Sequence, residues 1–327
     1  MANKSAPRKR ILIVGDLHLD ERNPPKRKDS YMKACLRKLE ESLVLAAEHG
    51  CDAFVHLGDI FHRREVGGQA RNGALRLLQT DTRTGEPWPF RKFVTVGNHD
   101  IQSNMQYLEA SAIGTLIQAG AIEFVPHCHE LGLEFAHFTP DLTERIEAGQ
   151  FTSSQAVILA VHGSITLAPF WGHYVLFQDM PVSPACRLVT AGHIHMPMEH
   201  LRADGVRFIN PGHVGRYELD HMNRTHMPQV LVVDYALDGS DLKTEYVPLK
   251  SADRPEDVFL IEQAQAVEDA AEDRASFIQQ VSQVTISANT EDIPTDLRRK
   301  AALKMIEPKV VEMAIEAIET IQQSKTT

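Results

Sequence analysis

The chain holds 327 residues, 43% of them apolar and 24% charged, with four cysteines and a formal net charge of -10. That length suits one large domain with a smaller appendage, and the composition excludes fibrous and intrinsically disordered chains. Charge is uneven: residues 1 to 105 carry 18 Lys+Arg against 13 Asp+Glu, so an acidic chain still offers a locally basic surface.

At the N-terminus, Lys4, Arg8, Lys9 and Arg10 precede only the apolar run Ile11 to Val14. This is too short for a signal core or a membrane span, and a cytoplasmic protein is expected. Ile11 to Val14, Ala53 to Leu57 and Phe93 to Val96 are strand-like runs, each followed by glycine and a polar residue. Between them, Ser30 to Glu48 and Gly73 to Leu78 carry helical spacing, with Ser30 as N-cap and Gly50 as stop. The first hundred residues therefore read βαβαβ. Further strand runs follow at Phe135 to Phe138, Ala156 to Val161, Leu188 to Ala191, Val206 to Ile209 and Val230 to Tyr235, enough for more than one sheet. After Pro248 the pattern turns helical over 256 to 283 and 296 to 322, separated by a stretch with Pro294; Pro308 should kink the second helix. The expected domains are 1–250 and a helical appendage, 251–327. Cys35, Cys51, Cys128 and Cys186 form no C-x-x-C pair and are read as buried free thiols.

Five blocks concentrate the unusual residues: Gly15-Asp16-Leu17-His18, Gly58-Asp59-Ile60-Phe61-His62-Arg63, Gly97-Asn98-His99-Asp100, His162-Gly163 and Gly192-His193-Ile194-His195. Taken singly, each has a bland reading as a turn, a polar cap or a satisfied histidine. Together, all five follow strand-like runs, and strand ends of an α/β sheet share a crevice. Carboxylate, imidazole and amide donors without thiolate suit Mn, Fe or Zn. The alternation in Asp16-x-His18 and His193-x-His195 puts each pair on one side of an extended segment. The preceding glycines let the backbone approach an ion closely. Two divalent ions would bring four positive charges against the two of Asp16 and Asp59, a centre that attracts phosphate.

The ordered set Asp16-x-His18, Gly58-Asp59, Gly97-Asn98-His99-Asp100, His162 and Gly192-His193-x-His195 resembles the signature of the calcineurin-like metallophosphoesterases, over roughly residues 10 to 236. The resemblance implies a four-layer αββα sandwich with a dinuclear site. It implies one ion held by Asp16, His18, Asp59 and His195, and another held by Asp59, Asn98, His162 and His193, with Asp59 shared. Ions about 3.5 to 4 Å apart lower the pKa of a bridging water and clamp the phosphoryl oxygens during in-line attack. His99 is not a ligand in that pattern and is the candidate general acid, with Asp100 as the group to hold its ring. Arg63 matches where some family phosphatases bind phosphate; a surface salt bridge is the alternative.

Within the superfamily the chain looks most like the SbcD-type DNA repair nucleases and their phage relatives. His62 resembles a second active-site histidine, and Ile209-Asn210-Pro211-Gly212 resembles their post-site loop. The basic stretch Arg22 to Lys28 could track a DNA backbone or be a solvated loop. The expected function is a metal-dependent DNA nuclease, with manganese the favoured ion. The alternatives are a small-molecule phosphatase or cyclic-nucleotide phosphodiesterase, and a non-catalytic scaffold, which is disfavoured because no ligand is missing. The acidic tail departs from the mixed α/β cap of the nuclease family. Its Val310, Val311, Ile315 and Ile318 fall near helical spacing and would suit packing, a homodimer or an SbcC-type coiled-coil ABC ATPase. His127, Cys128, His129 and His137 cluster in sequence without requiring a third ion, and Trp171 with His173 lies on the connection from His162 to His193, read as ordinary loop packing.

Overall fold

The computed structural model describes residues 6–170 and 172–261, together with Val311 and Ile315. The βαβαβ expectation becomes β1 (Arg8–Val14), α1 (Tyr31–Glu48), β2 (Ala53–His56), α2 (Gly68–Gln79) and β3 (Arg91–Val94). Ser30 occupies the N-cap of α1 with an extended backbone, but its side chain makes no cap; the Asn23 side-chain Oδ1 accepts from Tyr31 N at 2.7 Å instead. Past the C-cap His49, Gly50 adopts φ +59° and ends the helix, a conformation cheap only without a side chain.

Further along lie α3 (Asn98–Ile101), α4 (Ala112–Gln118), β4 (His127–Cys128), β5 (Leu133–Ala136), α5 (Leu142–Glu147), β6 (Ile158–His162), β7 (Ile165–Thr166) and β8 (Val175–Leu176). They are followed by β9 (Leu188–Gly192), β10 (Met198–Leu201), β11 (Arg207–Asn210), α6 (His221–Thr225), β12 (Gln229–Ala236), β13 (Leu242–Pro248) and α7 (Pro255–Val258). One sheet runs β13-β12-β1-β2-β3, the other β10-β11-β9-β6-β5-β4, and β7 pairs with β8 apart from both.

Strand alternation assigns each side chain to a layer. Ile11, Ile13, Val55 and Phe93 of the first sheet meet Phe135, Ile158, Leu188 and Ile209 of the second in one buried cluster. Phe93 and Phe135 stack across that seam at 5.3 Å between centroids, worth about 0.5–1.5 kcal/mol beyond the area buried. The alternate residues Leu12, Val14, Phe54 and Val94 pack beneath Leu39 and Leu43 of α1 and Leu77 of α2. On the outer face of the second sheet, Leu159, Val161, Val189 and Phe208 bury against Leu142 and Ile146 of α5 and against Phe177. The result is a mixed α/β fold of two facing sheets flanked by helices. A one-residue slip of any central strand would exchange its two buried faces, so register is fixed by burial.

The chain divides into two compact units, Met1–Phe259 and Leu260–Thr327. The helix expected over 256 to 283 is interrupted at once: Phe259 is extended and buried, bridged to Arg27, whose guanidinium lies 5.2 Å from the ring centroid. Burying that ring outweighs continuing the helical pattern. The remainder of that helix and the expected helix over 296 to 322, with Pro294, Pro308, Val310 and Ile318, lie outside the described residues, as does Trp171. Val311 and Ile315 are helical and buried. No helix among the described residues is long and apolar enough to cross a membrane, and all four cysteines are buried and free.

Candidate metal centre

Every expected donor sits at or just past the C-terminal end of a strand. Asp16 and His18 follow β1, Asp59 follows β2, Asn98 follows β3, His162 ends β6, and His193 and His195 follow β9. The first four come from one sheet and the last three from the other, so the donors converge over the seam between them. Sharp turns are needed to aim them inward. His18, Asp59 and His193 accordingly hold positive φ of 52°, 50° and 81°, a conformation that costs a non-glycine residue on the order of 1–3 kcal/mol. Strain of this kind persists where surrounding contacts over-determine it. Gly58 at φ +96° packs so tightly that a Cβ there would lie 2.2 Å from His162 Nδ1.

Three candidate groups emerge among the described residues, two built from the expected donors alone and one joining His18 to His62 and His99. Asp16, His18 and His195 can bring one atom each within 4.8 Å of one another, and so can Asp59, His162 and His193. His18 Nε2 lies 2.9 Å from His195 Nε2 and 3.8 Å from Asp59 Oδ2. In the second group Asn98 Oδ1 lies 3.1 Å from His162 Nε2 and 2.9 Å from His193 Nδ1, while Asp59 Oδ2 lies 3.4 Å from His162 Nε2. Asp59 therefore faces both groups. Its other oxygen accepts from His99 N at 2.9 Å, and Asp16 Oδ1 accepts from His193 N at 3.0 Å, so backbone donors fix both carboxylates.

This crowding fits cations. His162 Nδ1 donates to Leu57 O at 2.6 Å, which leaves the Nε2 lone pair of the neutral ring facing the oxygens of Asn98 and Asp59. Acceptors aimed at one another repel unless a proton or a metal ion lies among them. The titration behaviour agrees. Burial would lower the His162 pKa, but Asp59 and Asp16 overcome it and raise it to about 9, so a proton stands where a cation fits. Burial would raise the Asp59 carboxyl; His162 and His18 outweigh that and hold it well below the ordinary carboxylate range. Asp16 is pushed up to about 6 by burial, and burial also pulls His193 down to about 4 and His18 well below its ordinary value. Imidazoles and a shared carboxylate make a donor set for hard or borderline divalent ions once a cation replaces the His162 proton.

The remaining expected residues divide. His99 Nδ1 donates to the His62 carbonyl at 2.8 Å, and its ring stands edge-on to His18 with centroids 4.7 Å apart. Asp100 does not hold that ring. Its carboxylate is fully buried and accepts from Phe61 N at 3.0 Å and Gly97 N at 3.1 Å, so it ties the second and third blocks together; burial raises its pKa to about 7. His62 stacks on Tyr217 at 3.8 Å between centroids and lies near His18 and His99. Arg63 forms an ion pair with the buried Asp20, which meets the alternative expectation of a salt bridge while its side chain stays one-third exposed.

Sequence reasoning missed His213. It is buried, stacks on His195 with centroids 4.5 Å apart, donates Nδ1–H to His195 O at 3.0 Å and sets Nε2 2.7 Å from the Asn223 side-chain amide. The signal was present, because Gly212-His213 after β11 repeats the glycine-histidine pattern of Gly192-His193 after β9. Asn210 sets this loop by donating to Ile194 O at 2.6 Å and accepting from Gly212 N at 2.8 Å. The Arg22 to Lys28 stretch is not uniformly solvated: Arg27 is buried, paired with Asp29 and stacked against Tyr31, and Lys28 donates to Glu256 O. Arg27 is therefore engaged within the fold, while Lys28 stays exposed. His137 donates and accepts through Val125 O and Val96 N, and His127 lies beside His129; neither joins a metal-binding group among the described residues.

No curated protein matches the chain. Similar solved structures include a dimetal phosphatase from Danio rerio, 13% identical over 73% of this chain and 99% of that one, with a TM-score of 0.41. The calcineurin-like phosphoesterase YfkN from Bacillus subtilis is 10% identical over 74% of this chain and 91% of that one, TM-score 0.42. GAP50, the anchor in the inner membrane complex of Plasmodium, is 13% identical over 75% of this chain and 86% of that one, TM-score 0.44. The family model for calcineurin-like phosphoesterases matches residues 9–238, which takes in every donor described above, and the chain belongs to that family of dinuclear-metal hydrolases.

Proposed function

We propose that the chain is a phosphodiesterase acting on nucleic acid, DNA foremost, in the manner of the SbcD-type nucleases it resembles. Asp16, His18, Asp59 and His195 would hold one divalent ion, and Asp59, Asn98, His162 and His193 the other, manganese being the favoured metal. Two such ions would neutralise phosphoryl charge and lower the pKa of an attacking water. The chain's own part is to orient and to move a proton. With Nδ1 committed to the His62 carbonyl, His99 presents Nε2 toward the donors and, when protonated there, supplies the leaving oxygen with its proton as the P–O bond breaks.

The observation that carries the reading is Asp59 facing both donor groups while its second oxygen fixes the backbone of His99. This one carboxylate sets the candidate acid against the candidate ions. His62 stacked on Tyr217 at the same edge supports a substrate with flat rings, since aromatic faces stack on bases. A coiled-coil ATPase or a second copy would dock through the tail, but Val311 and Ile315 are already buried within the chain, which favours packing for those two positions.

The test supplies Mn²⁺ to the full chain with end-labelled linear DNA, bis-p-nitrophenyl phosphate and p-nitrophenyl phosphate, alongside His99→Ala. We expect wild type to cleave DNA and the diester. The variant should keep both metals by elemental analysis and lose about 10²–10⁴ in turnover. Hydrolysis of the monoester alone would end the nuclease reading, and an unchanged rate in His99→Ala would remove His99 from proton transfer.

A further inference from the structure

A groove of about 470 Å³ opens beside the candidate metal centre, lined by His62, Asn98, His99, Gln102 and Ser103, by the cations Arg63 and Arg64 and by the carboxylate of Glu65. Its volume lies within the roughly 300–1,000 Å³ of small-molecule sites. Because His99 is in its wall, an alcohol protonated by His99 departs into this groove. Two cations face one carboxylate in this lining, and Arg63 is already paired with Asp20, so Arg64 is the cation left to meet an anion. Arg64 lies over the Tyr107 ring at 4.5 Å from the centroid, which braces the guanidinium, and its backbone carbonyl accepts from Ala112 N. Its ionic partner, Glu65, is 70% exposed, and exchanging so solvated a partner for phosphate costs little. Gln102 and Ser103 project exposed side chains from two successive left-handed residues, φ 51° and 58°. Gln102 is the left-handed C-cap of α3, and Ser103 follows it in the same conformation as the helix ends.

We propose that this groove is a second anion subsite. It takes the leaving half of a phosphodiester, and Arg64, with Gln102 and Ser103, binds a further phosphate carried on that half. The inference rests on the phosphodiesterase reading and narrows it to substrates whose nucleotide chain continues past the scissile bond on the departing side. Guanidinium is the group for this, since its planar donors meet phosphate oxygens in pairs.

Three thymidine dinucleotides test it with the Mn²⁺-loaded full chain: TpT, pTpT and TpTp. Product analysis shows which nucleoside departs as the free alcohol. We expect kcat/KM to be at least about tenfold higher for the dinucleotide whose extra phosphate rides on that departing nucleoside. The preference should fall to near unity in Arg64→Ala and partly return in Arg64→Lys, each judged as the ratio to TpT measured in the same preparation. A preference for the phosphate on the retained side overturns the proposal. So does equal use of all three, or a ratio unmoved in both variants. Failure of wild type to cleave any dinucleotide, while the monoester is turned over, counts against the phosphodiesterase reading itself.

Discussion

Replacing Gly97 by alanine puts the arrangement of Asp59 under direct strain. The new Cβ would lie 2.1 Å from Asp59 Oδ1 and 2.5 Å from Asp59 N, where ordinary contact begins at 3.4 Å. Neither atom can step aside freely. The nitrogen belongs to a backbone turned to φ 50°, and the oxygen accepts from His99 N at 2.9 Å. Over-packing of this kind costs about 1–3 kcal/mol, and a domain of this size loses about 2–4 °C in Tm for each. The larger effect should fall on the ions, because Asp59 faces both donor groups; Mn²⁺ affinity should drop at least about tenfold. Thermal melts and titration calorimetry of metal-free protein measure the two effects separately. Gly68→Ala is the control, since a Cβ there meets nothing within 4 Å, and it should leave both within error. A Gly97→Ala variant with wild-type Mn²⁺ affinity and Tm would refute the placement of Asp59 at the shared position.

Two other perturbations probe the support beneath the site. His213→Ala removes the ring stacked on His195 and strands Asn223, so Mn²⁺ should bind about 10–100-fold more weakly in calorimetry, and an unchanged isotherm would show that His195 holds its position unaided. Lys38 is buried on α1 and donates to Val214 O and Gly215 O; burial lowers its pKa to about 8. The unfolded chain keeps this proton to about pH 10.4, so between the two values the unfolded state binds more protons and stability rises with pH. Urea melts of wild type minus Lys38→Met should therefore show a difference that climbs by about 3 kcal/mol from pH 7 to 10, and a flat difference would place the ammonium in contact with water.

The βαβαβ start was legible because β2 and the C-terminal parts of β1 and β3 are buried on both faces and read as apolar runs with a glycine soon after. β10 was not. As an edge strand of sequence Met-Glu-His-Leu with three of its four residues exposed, it lacks the burial that writes a hydrophobic pattern. β13, the edge of the other sheet, is missed for the same reason. The candidate donors stand out in the sequence because each follows a strand end and each brings an uncommon residue type. Asp100 was misassigned because adjacency in sequence to His99 says nothing of direction: α3 turns the aspartate inward to backbone amides while the imidazole points to the His62 carbonyl. Arg27 was read as surface charge because composition cannot show that Tyr31 and Phe259 would enclose it.

The candidate donors' origin in two different sheets would make ion binding a mechanical fastening as well as a chemical one. Ions held there would clasp one end of the sandwich, so sliding of either sheet along the other would be felt as a change in coordination. Substitutions deep in the middle layer, at the Phe93 and Phe135 stack for example, would then retune ion affinity without any contact with substrate.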